Sequence, residues 1–310
     1  MQVERELAEA APEKDMLLTI GVFDGVHLGH KHLLSQLKER ARERNLMSGV
    51  ITFRQHPRAV LASRDELPYL TSLEEKVRLL KDEGIDKVIT LSFTSELAKL
   101  SARQFVSLLQ KHLRMRGLLV GADFVLGRNR EGNADALRKL GQEMGFSVDT
   151  VSQMKSKGKV VSSTAVRNAL TKGDMKKVTE LIGRPFSLRG EVKKGAGRGA
   201  GLGFPTANIE IDPKQLLPAD GVYATRAYFD GKSYAAVTNI GKNPTFGAHS
   251  RTVETYLLDY SGDLYGQKLK IAIIDRLRGE KKFASVEELK KQMTADVKQG
   301  KEILEARAAK

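Results

Sequence analysis

One ten-residue turn constrains this chain more than any other stretch: Gly21-Val22-Phe23-Asp24-Gly25-Val26-His27-Leu28-Gly29-His30. An apolar run, Met16 to Val22, leads into it and reads as a buried strand. After it Leu33, Leu34, Leu37 and Ala41 recur on one helical face, the pattern of an amphipathic helix. The chain must therefore pass sharply from strand to helix. Gly25 and Gly29 let the backbone approach something bulky. The first helical turn offers N–H groups and a positive dipole end, a natural phosphate site. His27 and His30, three apart, can point at the same anion. Glycines in such a turn are common, but two imidazoles and an aspartate together with Gly25 and Gly29 exceed what a plain loop requires. The spacing is neither a Gly-Lys-Ser/Thr phosphate loop nor the Gly-x-Gly-x-x-Gly dinucleotide pattern.

A chain of 310 residues has room for two domains with separate cores. It contains no cysteine, which removes disulfides and thiolate metal sites and fits a reducing compartment. No apolar run reaches membrane-spanning length, and Met1 to Glu13 lacks a signal-peptide core, so a cytoplasmic protein with no membrane partner is expected. The net charge of +14 fits a solvated basic surface, a nucleic-acid partner or polyphosphate ligands. Basic runs interleaved with aromatics and nucleic-acid motifs are both missing from the sequence, so polyphosphate ligands and no nucleic acid are expected.

From Met16 to about Ser152, strand-like segments (Met47 to Phe53, Lys87 to Phe93, Leu118 to Ala122, Ser147 to Val151) alternate with helix-like ones (Leu73 to Glu83, Ala102 to Leu113, Ala134 to Met144). Such alternation predicts a parallel sheet covered on both faces, with ligands at the carboxyl ends of the strands. Asp174 to Ile182 reads as a short helix closed by Gly183, with Pro185 just beyond, and the domain boundary is placed there. The pattern then changes to short strands: Val222 to Phe229 and Ser233 to Asn239 across Asp230-Gly231-Lys232, then Thr252 to Leu258 and Lys268 to Leu277. These predict a small barrel or sandwich, closed by a helix from Val286 to Ala309.

Four further segments carry chemistry. Thr52-Phe53-Arg54-Gln55-His56-Pro57 follows the second strand, and Gly121-Ala122-Asp123-Phe124 ends the fourth. An acid at a strand end either binds ribose hydroxyls or shapes a loop, and both readings of Asp123 stand. Ser162-Ser163-Thr164 opens a helix with Arg167 one turn on. Read alone this is a capping sequence, but hydroxyls, helix N–H groups and a guanidinium on one face also suit a phosphate. Gly195 to Gly203 holds five glycines, a floppy loop or a phosphate cover, and Phe204-Pro205-Thr206-Ala207-Asn208 follows at once. In a strand Thr206 and Asn208 point the same way, a pair of hard oxygen ligands suited to Mg²⁺ shared with phosphates. Glu254 lies in an apolar strand beside Tyr256 and Leu258, which predicts an inward carboxylate.

The extended Gly-x-Phe-Asp-Gly-x-His-x-Gly-His turn resembles the His-x-Gly-His signature of nucleotidylyltransferases, in the form found in the bacterial bifunctional riboflavin kinase/FAD synthetase family. The Thr52–Pro57 segment resembles that family's Thr-Phe-x-Pro-His-Pro, with Gln55 in place of proline. The Asp123 segment resembles Gly-x-Asp-Phe-x-Phe-Gly, with Leu126 for the second phenylalanine. Ser162 to Arg167 matches Ser-Ser-Thr-x-x-Arg, and Gly203 to Asn208 matches the riboflavin kinase signature. Asn239-Ile240-Gly241 through Phe246, and Asp259 through Gly266, also match, so the resemblance runs from about Leu17 to about Asp296.

It implies an N-terminal Rossmann-like nucleotidylyltransferase domain over 1–183 and a small antiparallel β-barrel kinase domain over 184–310. It implies two reactions: riboflavin and ATP to FMN, then FMN and ATP to FAD and pyrophosphate, with Mg²⁺ in both. Glu254 is the implied base for the kinase, Thr206 and Asn208 its metal ligands, and Gly201, Gly203 and Asn239 its binding residues. In the first domain His27, His30 and Arg167 are the implied catalytic residues. Gly21, Phe23, Asp24, Gly25, Gly29, His56, Asp123, Ser162, Ser163 and Thr164 are the implied binding residues. A monomer or weak homo-oligomer is expected. Two rivals are a single-activity enzyme with one degenerate domain and a basic RNA-binding protein with an OB-like barrel.

Overall fold

The computed structural model describes residues 1–61, 67–195, 198–242 and 251–308. Packing divides the chain into two units, Met1–Ser163 and Thr164–Lys310.

The first unit runs α1 (Gln2–Glu9), β1 (Met16–Ile20), α2 (Leu28–Glu43), β2 (Met47–Phe53), α3 (Pro57–Leu61), α4 (Leu73–Asp82) and β3 (Lys87–Leu91). Then come α5 (Ser95–Lys99), α6 (Ala102–Leu113), β4 (Met115–Gly121), a ribbon of β5 (Val125–Leu126) and β6 (Gly132–Asn133), α7 (Ala134–Met144) and β7 (Ser147–Val151). A second ribbon, β8 (Lys155–Ser156) and β9 (Lys159–Val160), ends it. Five strands form a parallel sheet in the order β3-β2-β1-β4-β7.

Successive strand residues face opposite ways. Leu17, Val50 and Leu119 join Leu34, Leu37 and Leu80 on one side. Leu18, Ile51 and Leu118 join Val106, Leu109 and Leu137 on the other. Both faces are covered, which is why the strands read as apolar runs rather than as alternating ones. Ser72 caps α4 by accepting the Glu75 N–H at 3.3 Å, and Gly84 stops the segment at φ +76°. Strand β1 has β2 on one side and β4 on the other. The winding reverses between β1 and β4, and ligands of open parallel sheets sit beyond the carboxyl ends at such a point. The turn after β1 and the Asp123 loop after β4 both leave the sheet there.

Helix α8 (Ser163–Thr171) begins where the units divide, and α9 (Met175–Ile182) ends at Gly183 with φ +72°. Helix α9 packs on the barrel strands β10 (Phe186–Lys193) and β15 (Lys268–Arg278), so packing groups it with the second unit. Between these strands come α10 (Arg198–Gly201), β11 (Ala207–Ile211), β12 (Gly221–Phe229), β13 (Lys232–Lys242) and β14 (Arg251–Leu257). They close an antiparallel barrel, β10-β11-β14-β13-β12-β15. Phe229 pairs with Lys232 across Asp230 and Gly231, at φ +47° and +68°. Two left-handed residues are what a type I′ hairpin requires.

Inside the barrel the hydroxyls of Thr225, Thr238 and Thr255 form a chain at 2.8 and 3.0 Å, which satisfies these buried oxygens. Helix α11 (Val286–Ala308) closes one side of the barrel: Leu304 packs on Ala224, Ala272 and Ile274. Arg278 grips Asp296 in a fork of bonds between 2.8 and 3.0 Å.

One expectation is overturned here. Val253, Thr255 and Leu257 are the buried residues of β14, and Glu254 and Tyr256 between them are half-buried. Glu254 therefore faces outward from the barrel. Its apolar companion Tyr256 packs edge-on against Phe204, ring centres 5.5 Å apart, and so belongs to a covered groove on the outer face rather than to the interior.

Candidate active sites

The turn after β1 is built under strain. Phe23 and Val26 both have positive φ, +51° and +35°, and a β-branched residue adopts that region only when its surroundings force it. Both side chains are buried. The strain is held by a net of bonds from distant segments. The Asp24 carboxylate accepts the N–H groups of Leu70 and Thr71 at 2.9 to 3.2 Å, and Gly25 N–H donates to Thr71 Oγ1 at 3.0 Å. Thr52 Oγ1 donates to the Val22 carbonyl, and Ser163 Oγ to the Asp24 carbonyl, at 3.0 and 2.9 Å. Gly29 is required by close approach: a Cβ there would stand 2.9 Å from the Val161 carbonyl oxygen and 3.1 Å from the His27 ring. The bulky neighbour foreseen beside Gly29 is thus the protein's own backbone.

His27 caps α2, its Nδ1 accepting the His30 N–H at 3.3 Å. The two imidazoles stack, centroids 3.6 Å apart and planes 15° apart, and Phe23 tilts against His30 at 5.0 Å. His30 Nδ1 is sealed from water with no partner among the described residues. Burial, then His27, then Lys76 hold the His30 imidazole well below its ordinary protonation range. It is a neutral ring at neutral pH, able to donate one hydrogen bond but not to act as a fixed cation.

The other residues implied for adenylyl transfer lie on several elements. His56 precedes α3 and its Nδ1 accepts the Arg58 N–H at 3.1 Å. Gln55, which replaces a proline, fastens the same loop by donating Nε2–H to the Phe93 carbonyl at 2.9 Å. Asp123 is exposed in the turn just past β4, on the same edge of the sheet as the imidazoles. Ser163 opens α8, and Arg167 lies one helical turn along it. Sequence reasoning passed over Lys76. Its ammonium donates to the carbonyls of Val22 at 3.1 Å and Phe53 at 2.9 Å.

In the second unit the candidate residues form a row. Asn208 on β11 stands opposite Glu254 on β14, and Glu254 opposite Asn239 on β13. Directly paired residues point to the same face, so amide, carboxylate and amide lie side by side on the outer face. Thr206, two residues before Asn208, opens onto the same face. The glycine-rich loop comes down on it. A Cβ on Gly195 would fall 1.9 Å from Asn208 Nδ2, and one on Gly199 3.1 Å from Thr206 Oγ1. Gly201 and Gly203 are exposed in this loop, Gly203 at φ +87°. The hydroxyl and amide oxygens of Thr206 and Asn208 fit a hard cation whose remaining ligands come from a phosphate. Among the described residues no group of three or more His, Cys, Asp or Glu side chains forms a metal cage by itself. The matching stretch Pro244 to Phe246 lies outside the described residues.

The FAD synthetase family profile matches residues 9–165, and the riboflavin kinase profile residues 182–304. A bifunctional riboflavin kinase/FMN adenylyltransferase of Escherichia coli strain K12 is 41% identical over 288 residues, 92% of each chain. One from Pseudomonas fluorescens is 39% identical over 300 residues, 96% of each. A crystal structure described as a macrolide-efflux protein from Streptococcus pneumoniae superposes at a TM-score of 0.89, with 29% identity and 97% coverage of both chains. No helix among the described residues is long and apolar enough to cross a membrane. Neither the single-activity rival nor the RNA-binding one finds support in these relatives. With both profiles present in this order and relatives matched over nearly their whole length, the chain belongs to the bifunctional riboflavin kinase/FMN adenylyltransferase family.

Proposed function

We propose that the chain converts riboflavin to FMN and FMN to FAD at two separate sites, each with its own ATP. The observation that carries the reading is the cross-strand row Asn208–Glu254–Asn239 beside Thr206, in a chain whose other unit sets an imidazole pair at the switch point of a parallel sheet.

At the row, Glu254 takes the proton of riboflavin's terminal hydroxyl as its oxygen attacks the γ-phosphorus of ATP, and ADP departs. The glycine loop covers the phosphates with backbone N–H groups, and Asn239 orients the acceptor beside Glu254. Thr206 and Asn208 would hold Mg²⁺, which when bound neutralises the phosphate charge.

At the turn, the FMN phosphate attacks the α-phosphorus of a second ATP, and pyrophosphate departs. The attacking group is already anionic, so no base is needed, and alignment and charge stabilisation do the work. His27 and His30 act as hydrogen-bond donors to the phosphates, His30 as a neutral ring, beside the N–H groups that open α2. Ser162, Ser163, Thr164 and Arg167 supply hydroxyls and a guanidinium for the departing pyrophosphate. Gly21, Phe23, Asp24, Gly25 and Gly29 shape the turn that receives the nucleotide, with His56 and Asp123 on neighbouring strand ends. By activity we divide the chain into 1–183 for adenylylation and 184–310 for phosphorylation. We place it in the cytoplasm as a monomer or weak homo-oligomer, without a nucleic-acid or membrane partner.

The test is incubation of the full chain with riboflavin, ATP and Mg²⁺, products being separated over time. FMN should rise first and FAD follow, one pyrophosphate per FAD. Accumulation of FMN alone, or no turnover of either flavin, overturns the two-site reading.

A further inference from the structure

Helix α4 carries a charge that the chemistry above leaves unused. Lys76 is 6% exposed. Its two carbonyl partners belong to the two loops that leave neighbouring strands at the ligand edge: Val22 opens the imidazole turn and Phe53 opens the His56 segment. The segment that leads into the same helix also grips the turn, because the Leu70 and Thr71 N–H groups donate to the Asp24 carboxylate and Thr71 Oγ1 accepts from the Gly25 N–H.

The charged and titratable groups facing Lys76 are Asp24 from the turn and His30 from α2, with His27 stacked on His30. On its own helix Glu75 is engaged by Arg78, at 2.7 and 2.9 Å, and β2 contributes the Phe53 carbonyl. An ammonium removed from water is costly, and an apolar side chain of the same length would serve packing better. What an apolar residue cannot do is tie two carbonyls together through charge-assisted hydrogen bonds opposite a carboxylate.

We propose that Lys76 is a positioning residue for adenylyl transfer, its positive charge fixing the relative placement of the two loops that receive the nucleotide phosphates. This rests on the assignment of the imidazole turn to that reaction. Neutral lysine keeps hydrogens to donate but loses the charge assistance and the attraction of Asp24, so the loops lose their fixed spacing when the proton leaves.

Burial pushes the Lys76 ammonium down to about 8, Asp24 acting against the shift. The charge is therefore lost on the mildly alkaline side. The folded value lies below the ordinary lysine value, so between the two the unfolded chain binds more protons. Through that window this group's contribution to stability rises with pH. A merely structural role predicts no alkaline loss of activity, whereas a positioning role by charge predicts one without loss of fold.

The experiment measures kcat/KM for FAD formation from FMN by the full-length enzyme from about pH 7 to about pH 9.5, with riboflavin phosphorylation and thermal melting beside it. The expected result is a fall approaching tenfold per pH unit above about 8 in FAD formation alone, with melting not reduced in step. Lys76→Met should give a flat profile, about a hundredfold below wild type at neutral pH, with phosphorylation unchanged. Lys76→Arg should recover part of the rate and move the limb beyond the range. A flat wild-type profile overturns the proposal, as does Lys76→Met within about threefold of wild type. The wild-type profile decides alone if the Met variant does not fold. Undiminished FAD formation in folded His30→Ala overturns the assignment of the turn instead, a separate failure.

Discussion

His27 carries two duties that single substitutions separate. Its ring caps α2 and stacks on His30, so His27→Ala removes both a cap and a donor. The cap loss is worth about 1 kcal/mol, and a phosphate donor used in the transition state about two to three orders of magnitude in turnover. His27→Asn restores a capping oxygen without an imidazole. We expect it to regain most of the lost stability and little of the FAD synthesis, as read by thermal melting and by FAD formation from FMN. His30→Ala should lower kcat with little change in ATP affinity by calorimetry, since its ring serves the departing charge. Equal activity in His27→Asn and wild type would mean that the ring only shapes the turn. Acid has a definite sign here: His30 is held below its ordinary value, so the unfolded chain binds its proton first. The first unit should therefore lose stability as pH falls below the ordinary histidine range.

Between elements, the row across β11, β14 and β13 makes a sharper prediction than any of its members. Asn208 and Thr206 share a face, and Asn208 is in register with Glu254. Thr206→Ala with Asn208→Ala should abolish riboflavin phosphorylation together with its Mg²⁺ response, while FAD formation from FMN keeps both. A double variant with the wild-type Mg²⁺ response in phosphorylation would remove them as ligands. The sequence showed this row only in part. Periodicity placed Thr206 and Asn208 on one face and marked the hairpin at Asp230-Gly231, because both are short-range matters of backbone geometry. It misdirected Glu254, because its apolar companion Tyr256 packs under Phe204 in a groove outside the barrel, and apolarity alone does not tell a groove from a core. The same limit hid Lys76, whose partners Val22 and Phe53 lie far off in the chain and meet it only once β1, β2 and α4 have packed. Gln55 shows the converse. It stands where the family pattern has a proline, and its amide fastens the loop by donating to the Phe93 carbonyl just past the end of β3.

At the scale of the molecule, the two units have cores of their own. Leu18, Ile51 and Val106 belong to one and Ala224, Ala272 and Leu304 to another, so damage to one chemistry need not reach the other. Glu254→Gln keeps the size of the side chain and removes the base, which should cost riboflavin phosphorylation about two to four orders of magnitude and leave FAD formation from FMN intact. His30→Ala should do the reverse. Neither variant alone then makes FAD from riboflavin at a useful rate. Mixed in solution they should do so, because FMN made by the His30→Ala chain can leave it and reach the intact turn of the Glu254→Gln chain. The lag before FAD appears should shorten as the concentration of the second variant rises, as expected for a free intermediate captured by a bimolecular step. The measurement is FMN and FAD against time at several mixing ratios. Restoration with no dependence of the lag on concentration would mean that FMN passes within an assembly of chains rather than through solution. No restoration, with each variant keeping its own partial reaction, would mean that FMN does not leave the chain that makes it, and the independence of the two sites would fall.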